Sequence, residues 1–119
     1  MESRRQRQVG ELIKRHFSTV LREEGGYLYG SEVLVSITHV LMSSDLGLAK
    51  IYISVYNTEN KQAVLLQIQE GRHRLKQQLS SRIRKHVRRI PNIDIYIDET
   101  LDEIDTVEHL FNKIKKPEQ

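Results

Sequence analysis

The chain has 119 residues, 38% hydrophobic and 29% charged, with 19 Lys and Arg against 16 Asp and Glu and a pI near 9.3. That length suits one domain with a modest core and leaves no room for a large internal cavity. The absence of cysteine excludes disulfides and thiolate metal sites. No apolar run reaches membrane-spanning length, and the basic start MESRRQRQVGELI lacks the uninterrupted apolar stretch of a signal peptide.

Val9, Leu12, Ile13, Phe17, Val20 and Leu21 recur at three- and four-residue steps. The spacing predicts an amphipathic helix ending near Glu24, before Gly25-Gly26, with GGYLYGS as a connecting loop. Two strands follow in VLVSITHVLMSSDLGLAKIYISVYN. In the second, Ala49, Ile51, Ile53 and Val55 alternate with Lys50, Tyr52, Ser54 and Tyr56, as a half-buried strand requires. In the first, Val35 and Ile37 fit one face but Val40 and Met42 the other, which predicts a bulge near Thr38-His39. Ser43-Ser44-Asp45-Leu46-Gly47 supplies the turn between the strands.

Asn57-Thr58 is a candidate cap for a helix through ENKQAVLLQIQE, halted or bent at Gly71, and a second helical stretch is expected to run to Ile90, where Pro91 ends it. NIDIYID reads as a third strand, with Ile93, Ile95 and Ile97 on one face. Thr100-Leu101-Asp102-Glu103 is a capping box opening a last helix over about 101–115, with a frayed tail beyond it. The expected fold is a single α+β domain with its ordered core over about 4–98. Its order is helix, strand, strand, helix, helix, strand, helix, with one three-stranded sheet covered by helices on one side.

Charge is segregated along this chain. No acid occurs from Gly71 to Ile93, whereas residues 94–108 carry seven acids and neither Arg nor Lys. On a continuous helix, Leu75, Leu79, Ile83, Val87 and Ile90 share one apolar arc. Arg74, Arg84, Lys85, Arg88 and Arg89 fall opposite it with Ser81, while Arg72 and Arg82 flank it. A face that merely keeps a helix soluble mixes signs, because like charges a turn apart weaken the helix. A one-signed face instead suits a polyanion. A membrane surface would need the apolar arc free, but that arc is required to cover the sheet. Nucleic acid is therefore the favoured partner, with phosphate contacts supplying affinity. The candidate contacts are Arg74, Ser80, Ser81, Arg82, Arg84, Lys85, Arg88 and Arg89, assisted by Arg4, Arg5 and Arg7. Tyr52, Tyr56 and Tyr96, on outer strand positions, are candidate base-stacking groups, although tyrosine is also an ordinary strand residue.

VSITHVLMSSDLGLAKIYISVYN, the SSRIRKHV segment before IPNIDIYIDETLDE, and the N-terminal RRQRQVGELIKRHFSTVL together resemble the ribosome-binding factor A family, from about Arg4 to Ile114. The resemblance implies a type II KH-like fold. It also implies a bacterial cytosolic factor that binds the small (30S) ribosomal subunit and assists late maturation of 16S rRNA. The nucleotide-clamping GXXG loop of ordinary KH domains is missing, as it is in this family. The family joins its central helices at an Ala-x-Gly kink, and alignment on Ile83-Arg84 places Leu79-Ser80-Ser81 there, with serine where glycine is usual.

No catalytic residue, metal site or cofactor site is expected. His16, His39, His73, His86 and His109 are scattered; His86, at the edge of the apolar arc, reads as a packed structural histidine. Asp98-Glu99 and Asp102-Glu103 are better explained by helix capping than by metal binding. No phosphate-loop or dinucleotide fingerprint is present. The protein is expected to be a cytoplasmic, non-enzymatic factor, a monomer when off the ribosome. The alternatives are a module whose basic helix meets an acidic protein and a small ribonuclease using His86 or His73.

Overall fold

The computed structural model describes residues 2–98. The predicted Thr100–Glu103 capping box and final helix lie outside the described residues. Ser3 opens the first helix, α1 (Arg4–Tyr29), with a reciprocal capping box. Its hydroxyl accepts from the Gln6 amide at 3.1 Å, and the Gln6 side chain accepts from the Ser3 amide at 2.7 Å. Val9, Ile13, Phe17, Val20 and Leu21 are buried along one stripe, as their spacing requires.

The helix does not stop at Gly25-Gly26. It continues for another turn because Tyr29 folds back over Gly25, where a Cβ would overlap its ring, and Leu28 packs on the core. Packing here outweighs the low helix propensity of two glycines. The stop is Gly30, at a φ of +93° that suits glycine.

Strands β1 (Leu34–Met42) and β2 (Leu48–Tyr56) pair antiparallel, and β3 (Asn92–Ile97) lies parallel to β2, which is central. The register shifts between Ile37 and His39, so the bulge is where the hydrophobic pattern placed it. The extra residue turns Val40 and Met42 back to the face of Ile37, and all three are buried. Ala49, Ile51, Ile53 and Ile95 are wholly inaccessible and face the helices. Each large one contributes roughly 1.5–3 kcal/mol of burial.

Helix α2 (Lys61–Glu70) is capped by Asn60, whose side chain accepts from the Ala63 amide. The expected caps serve elsewhere: the Asn57 side-chain amide donates to Glu32 O, and Thr58 Oγ1 accepts from the Asn60 amide. Helix α3 (Arg72–Ile83) begins after Gly71, and the two helices join there. Leu28 from α1 presses on Gly71, where a Cβ would overlap its methyl groups. The junction is therefore Gln69-Glu70-Gly71 and keeps its glycine, while Ser80 and Ser81 lie inside an unbroken α3. The expected kink at Leu79-Ser80-Ser81 is corrected by ten residues.

The second correction concerns the helix end. α3 stops at Ile83, not Ile90; residues 84–86 form a turn and the chain then runs irregularly, bending at 88–89, to Pro91. Ile83 and Pro91 are fully buried anchors at the two ends of this segment, with Val87 and Ile90 half-buried between them. The Asn92 amide then bonds Gly47 O at 2.9 Å. A helix extended to Ile90 could not bring the chain to the start of β3, so the tertiary connection terminates it.

On the open face of the sheet, His39, Tyr52 and Tyr96 form a ladder across the three strands. Ring centroids are 4.4 Å and 5.5 Å apart at 15° and 28° between planes. The rings stack on one another. A base could therefore add only at the ends of the ladder, not lie flat on each ring as on an aromatic sheet platform.

Candidate nucleic-acid interface

The predicted basic residues divide into two groups. Arg74 and Arg82, on α3, face the acids of α1. Arg74 Nε and Nη2 donate to Glu24 at 3.2 and 3.3 Å, and Arg82 Nη2 donates to Glu23 at 2.7 Å. Arg72 lies 3.8 Å from Asp94 and Arg7 3.7 Å from Glu2. The like-charge repulsion that α3 cannot relieve within itself is thus relieved across the helix pair. Ser80 is half-buried, and Ser81 turns its hydroxyl back to Gln78 O at 3.0 Å. These α3 groups do not make one free cationic face.

The second group is Arg4, Arg5, Arg84, Lys85, Arg88 and Arg89, all exposed. Among the described residues none of them makes an ion pair within 4.0 Å. Of these, Arg5, Arg88 and Arg89 are brought together by the corrected path of residues 84–91, which links the end of α3 to β3 past the start of α1. Gln6 fixes that start by donating to Met42 O at 3.0 Å. Arg5, Arg88 and Arg89 consequently line a single cleft of about 390 Å³ with Val9, Leu46 and Val87. Arg89 lies against Gly47, where a Cβ would overlap its guanidinium.

The turn beneath this cleft is heavily bonded. Ser43 Oγ donates to Asp45 Oδ1 at 2.7 Å and accepts from the amides of Gly47 and Leu48 at 3.1 and 3.0 Å. The Gly47 amide also donates to Asp45 Oδ1 at 2.9 Å. The Ser43 hydroxyl, the Gly47 amide and the nearby Arg89 charge together hold the Asp45 carboxyl below its usual range. Between them Leu46 is held at a φ of +59°, a left-handed conformation costing a residue with a Cβ about 1–2 kcal/mol. The sequence marks this stretch only as a turn; the strained leucine and its place in the cleft appear only in three dimensions.

Arg15 and His16 carry no signal in the sequence beyond ordinary helix surface, yet they adjoin the same end of α3. The His16 and His86 rings stack at 6.3 Å. Partial burial, then the charges of Arg15, Arg82 and His86, hold the His16 imidazole below its ordinary pKa. His86 itself is exposed, not a packed structural histidine. Among the described residues no group of three or more His, Asp or Glu could hold a metal ion, and no helix is long and apolar enough to cross a membrane.

Comparison with known proteins agrees with this architecture. The profile of the family described as Ribosome-binding factor A matches residues 5–111. Ribosome-binding factor A of Cytophaga hutchinsonii is 39% identical over 119 residues, covering 100% of this chain and 89% of that protein. The Flavobacterium psychrophilum protein of the same name is 32% identical, covering 98% and 90%. Among solved structures, the crystal structure of ribosome-binding factor A from Thermus thermophilus superposes with a TM-score of 0.63 at 18% identity, over 77% of this chain and 94% of that one. A homology model of the Thermus thermophilus factor fitted into a cryo-EM map of a 30S complex superposes at 0.60, with 22% identity, covering 76% and 92%. The α+β architecture expected from the element order is the fold these structures share, and with a profile match across most of its length this chain belongs to the ribosome-binding factor A family.

Proposed function

We propose that the protein is a ribosome assembly factor without catalytic activity, which binds the small ribosomal subunit and promotes late maturation of its 16S rRNA. The observation that carries this reading is the exposed cations Arg5, Arg88 and Arg89 around one cleft, with Arg4, Arg84 and Lys85 also exposed and none of the six in an ion pair among the described residues. The fitting of a Thermus thermophilus relative into a map of its 30S complex supports the same partner. Exposed guanidinium and ammonium groups held in no ion pair lose little on meeting phosphates, Arg89 giving up only its attraction to the nearby Asp45 carboxylate, and each contact releases condensed counterions. The mechanism is positional. By binding one arrangement of the rRNA more tightly than others, the protein shifts the population toward it, with no bond made or broken.

The test is co-sedimentation with small subunits on sucrose gradients at two salt concentrations. The triple variant Arg84→Ala, Arg88→Ala, Arg89→Ala should leave the small-subunit fraction, with a loss of roughly tenfold in affinity per arginine. Its thermal midpoint should be nearly unchanged, because these side chains are exposed and make no ion pair among the described residues. Unchanged co-sedimentation would count against the proposal. Binding that survives ribonuclease and is insensitive to salt would favour an acidic protein partner. Specific cleavage of labelled rRNA, lost in His86→Ala, would favour a ribonuclease.

A further inference from the structure

The cleft between the start of α1, the β1–β2 turn and the 84–91 strap has two kinds of wall. Val9, Leu46 and Val87 form an apolar floor, and Arg5, Arg88 and Arg89 form a cationic rim. A surface that only tracks a phosphate backbone needs the rim and has no use for the floor. Leu46 makes the floor unusual, because it is an apolar residue kept at positive φ by a network of four hydrogen bonds among Ser43, Asp45, Gly47 and Leu48. A turn that needed only positive φ would be served better by glycine or asparagine. Backbone strain held by its surroundings concentrates at binding sites.

We infer that this cleft takes one unpaired nucleotide of the RNA, its base seated on Val9, Leu46 and Val87 and its phosphates held by Arg5, Arg88 and Arg89. The inference rests on the reading of this end of the molecule as an RNA surface and adds to it a preference for single-stranded RNA. The volume, about 390 Å³, falls at the small end of ligand sites and suits one nucleotide. A duplex keeps its bases stacked inside and has no free base to offer, whereas unstacked bases in loops and ends are what proteins read in RNA. Asp45 also lines the cleft. Its carboxylate repels phosphate but accepts from the amino group of a base, so it sets the base on its own side and favours cytosine over uracil.

Fluorescence anisotropy of the full chain with a labelled single-stranded oligocytidylate and with a short RNA duplex tests this. The variants are Leu46→Gly and Leu46→Asn, both compatible with positive φ, so relief of strain offsets the lost packing of Leu46 on the core and the fold survives. Either should weaken binding of the single strand roughly tenfold, as for the loss of one seated base, and leave duplex binding within about twofold. Equal loss on both RNAs would overturn the inference, as would no loss on either. An Arg88→Ala, Arg89→Ala variant separates the two levels. If it weakens both RNAs while the Leu46 variants weaken neither, the RNA surface stands and the nucleotide cleft falls. If it weakens neither, both fall.

Discussion

Arg74 and Arg82 on α3, and Arg88 and Arg89 a turn or two beyond it, belong to the same acid-free stretch of sequence, yet the fold gives them opposite circumstances. The first two point at Glu24 and Glu23 of α1 and are held there. The second two leave the helix at Ile83, reach the N-terminal end of α1 and make no ion pair with any described carboxylate. A side chain already paired must give up its partner to bind a phosphate, while Arg88 has no ion pair among the described residues to exchange and Arg89 only its attraction to the nearby Asp45. Charge density along a sequence is thus a poor measure of binding surface; the count that matters is the charge left after internal pairing.

Ile83 is where the two regions separate, and it tests the comparison most severely. It is fully buried and is the last residue of α3. Ile83→Ala should cost about 2–4 kcal/mol of stability, through lost burial and the cavity left behind. Urea denaturation would show it as a lower midpoint with an unchanged slope. A cost under about 1 kcal/mol, well below the usual range for such a truncation, would mean that the strap is not anchored there.

Freeing the paired arginines sharpens the comparison from the other side. Glu23→Gln with Glu24→Gln removes both acceptor charges while keeping side-chain size. RNA affinity at low salt should rise by roughly threefold, with a steeper dependence on salt, because two further cations become available. The thermal midpoint should fall slightly, as for ion pairs with at least one exposed partner. Unchanged affinity would show that the α3 face lies outside the RNA footprint even when its charges are free.

The smallest effect concerns His16, which sits between the regions and senses both. Its imidazole is held below the ordinary histidine value by burial and then by Arg15, Arg82 and His86. The unfolded chain therefore takes up the proton first. Stability contributed by neutral His16 is present above the unfolded value of about 6.5 and is lost as pH falls through the folded pKa. A His16→Gln variant should lose that part of the acid destabilisation. In an NMR titration, Arg82→Ala should raise the His16 pKa, and bound RNA should raise it further, since phosphates stabilise the imidazolium. A value unmoved by RNA would place the interface away from this seam.

Much of the fold was legible because local rules and burial agreed. The stripe from Val9 to Leu21, the alternation in β2 and the change of phase at Thr38-His39 each report which face meets the core. Ser3-Arg4-Arg5-Gln6 carries a capping box at the standard spacing, a local signal for the start of α1. The misplaced boundaries are those where tertiary contacts overrode a local signal. Gly25-Gly26 reads as a helix stop until Tyr29 and Leu28 are seen to pack over them. Residues 84–90 read as helix because their apolar spacing fits one, but the same Val87 and Ile90 serve equally to hold an irregular strap. Of the cations the sequence offers as contacts, the fold turns Arg74 and Arg82 onto Glu24 and Glu23 and leaves Arg84, Lys85, Arg88 and Arg89 exposed, a division that charge density along the chain does not carry.

By itself the amino-acid sequence determined the order of the described elements, the sheet's buried face and the presence of an acid-free basic stretch, because these depend on spacing along the chain. Only the tertiary structure decided which cations remain free, which residues of the N-terminus join them and that a strained Leu46 lies at their feet. Those outcomes depend on distances between segments far apart in sequence: Arg82 meets Glu23, Arg89 meets Gly47 and Gln6 meets Met42 through the packing of one sheet face against three helices.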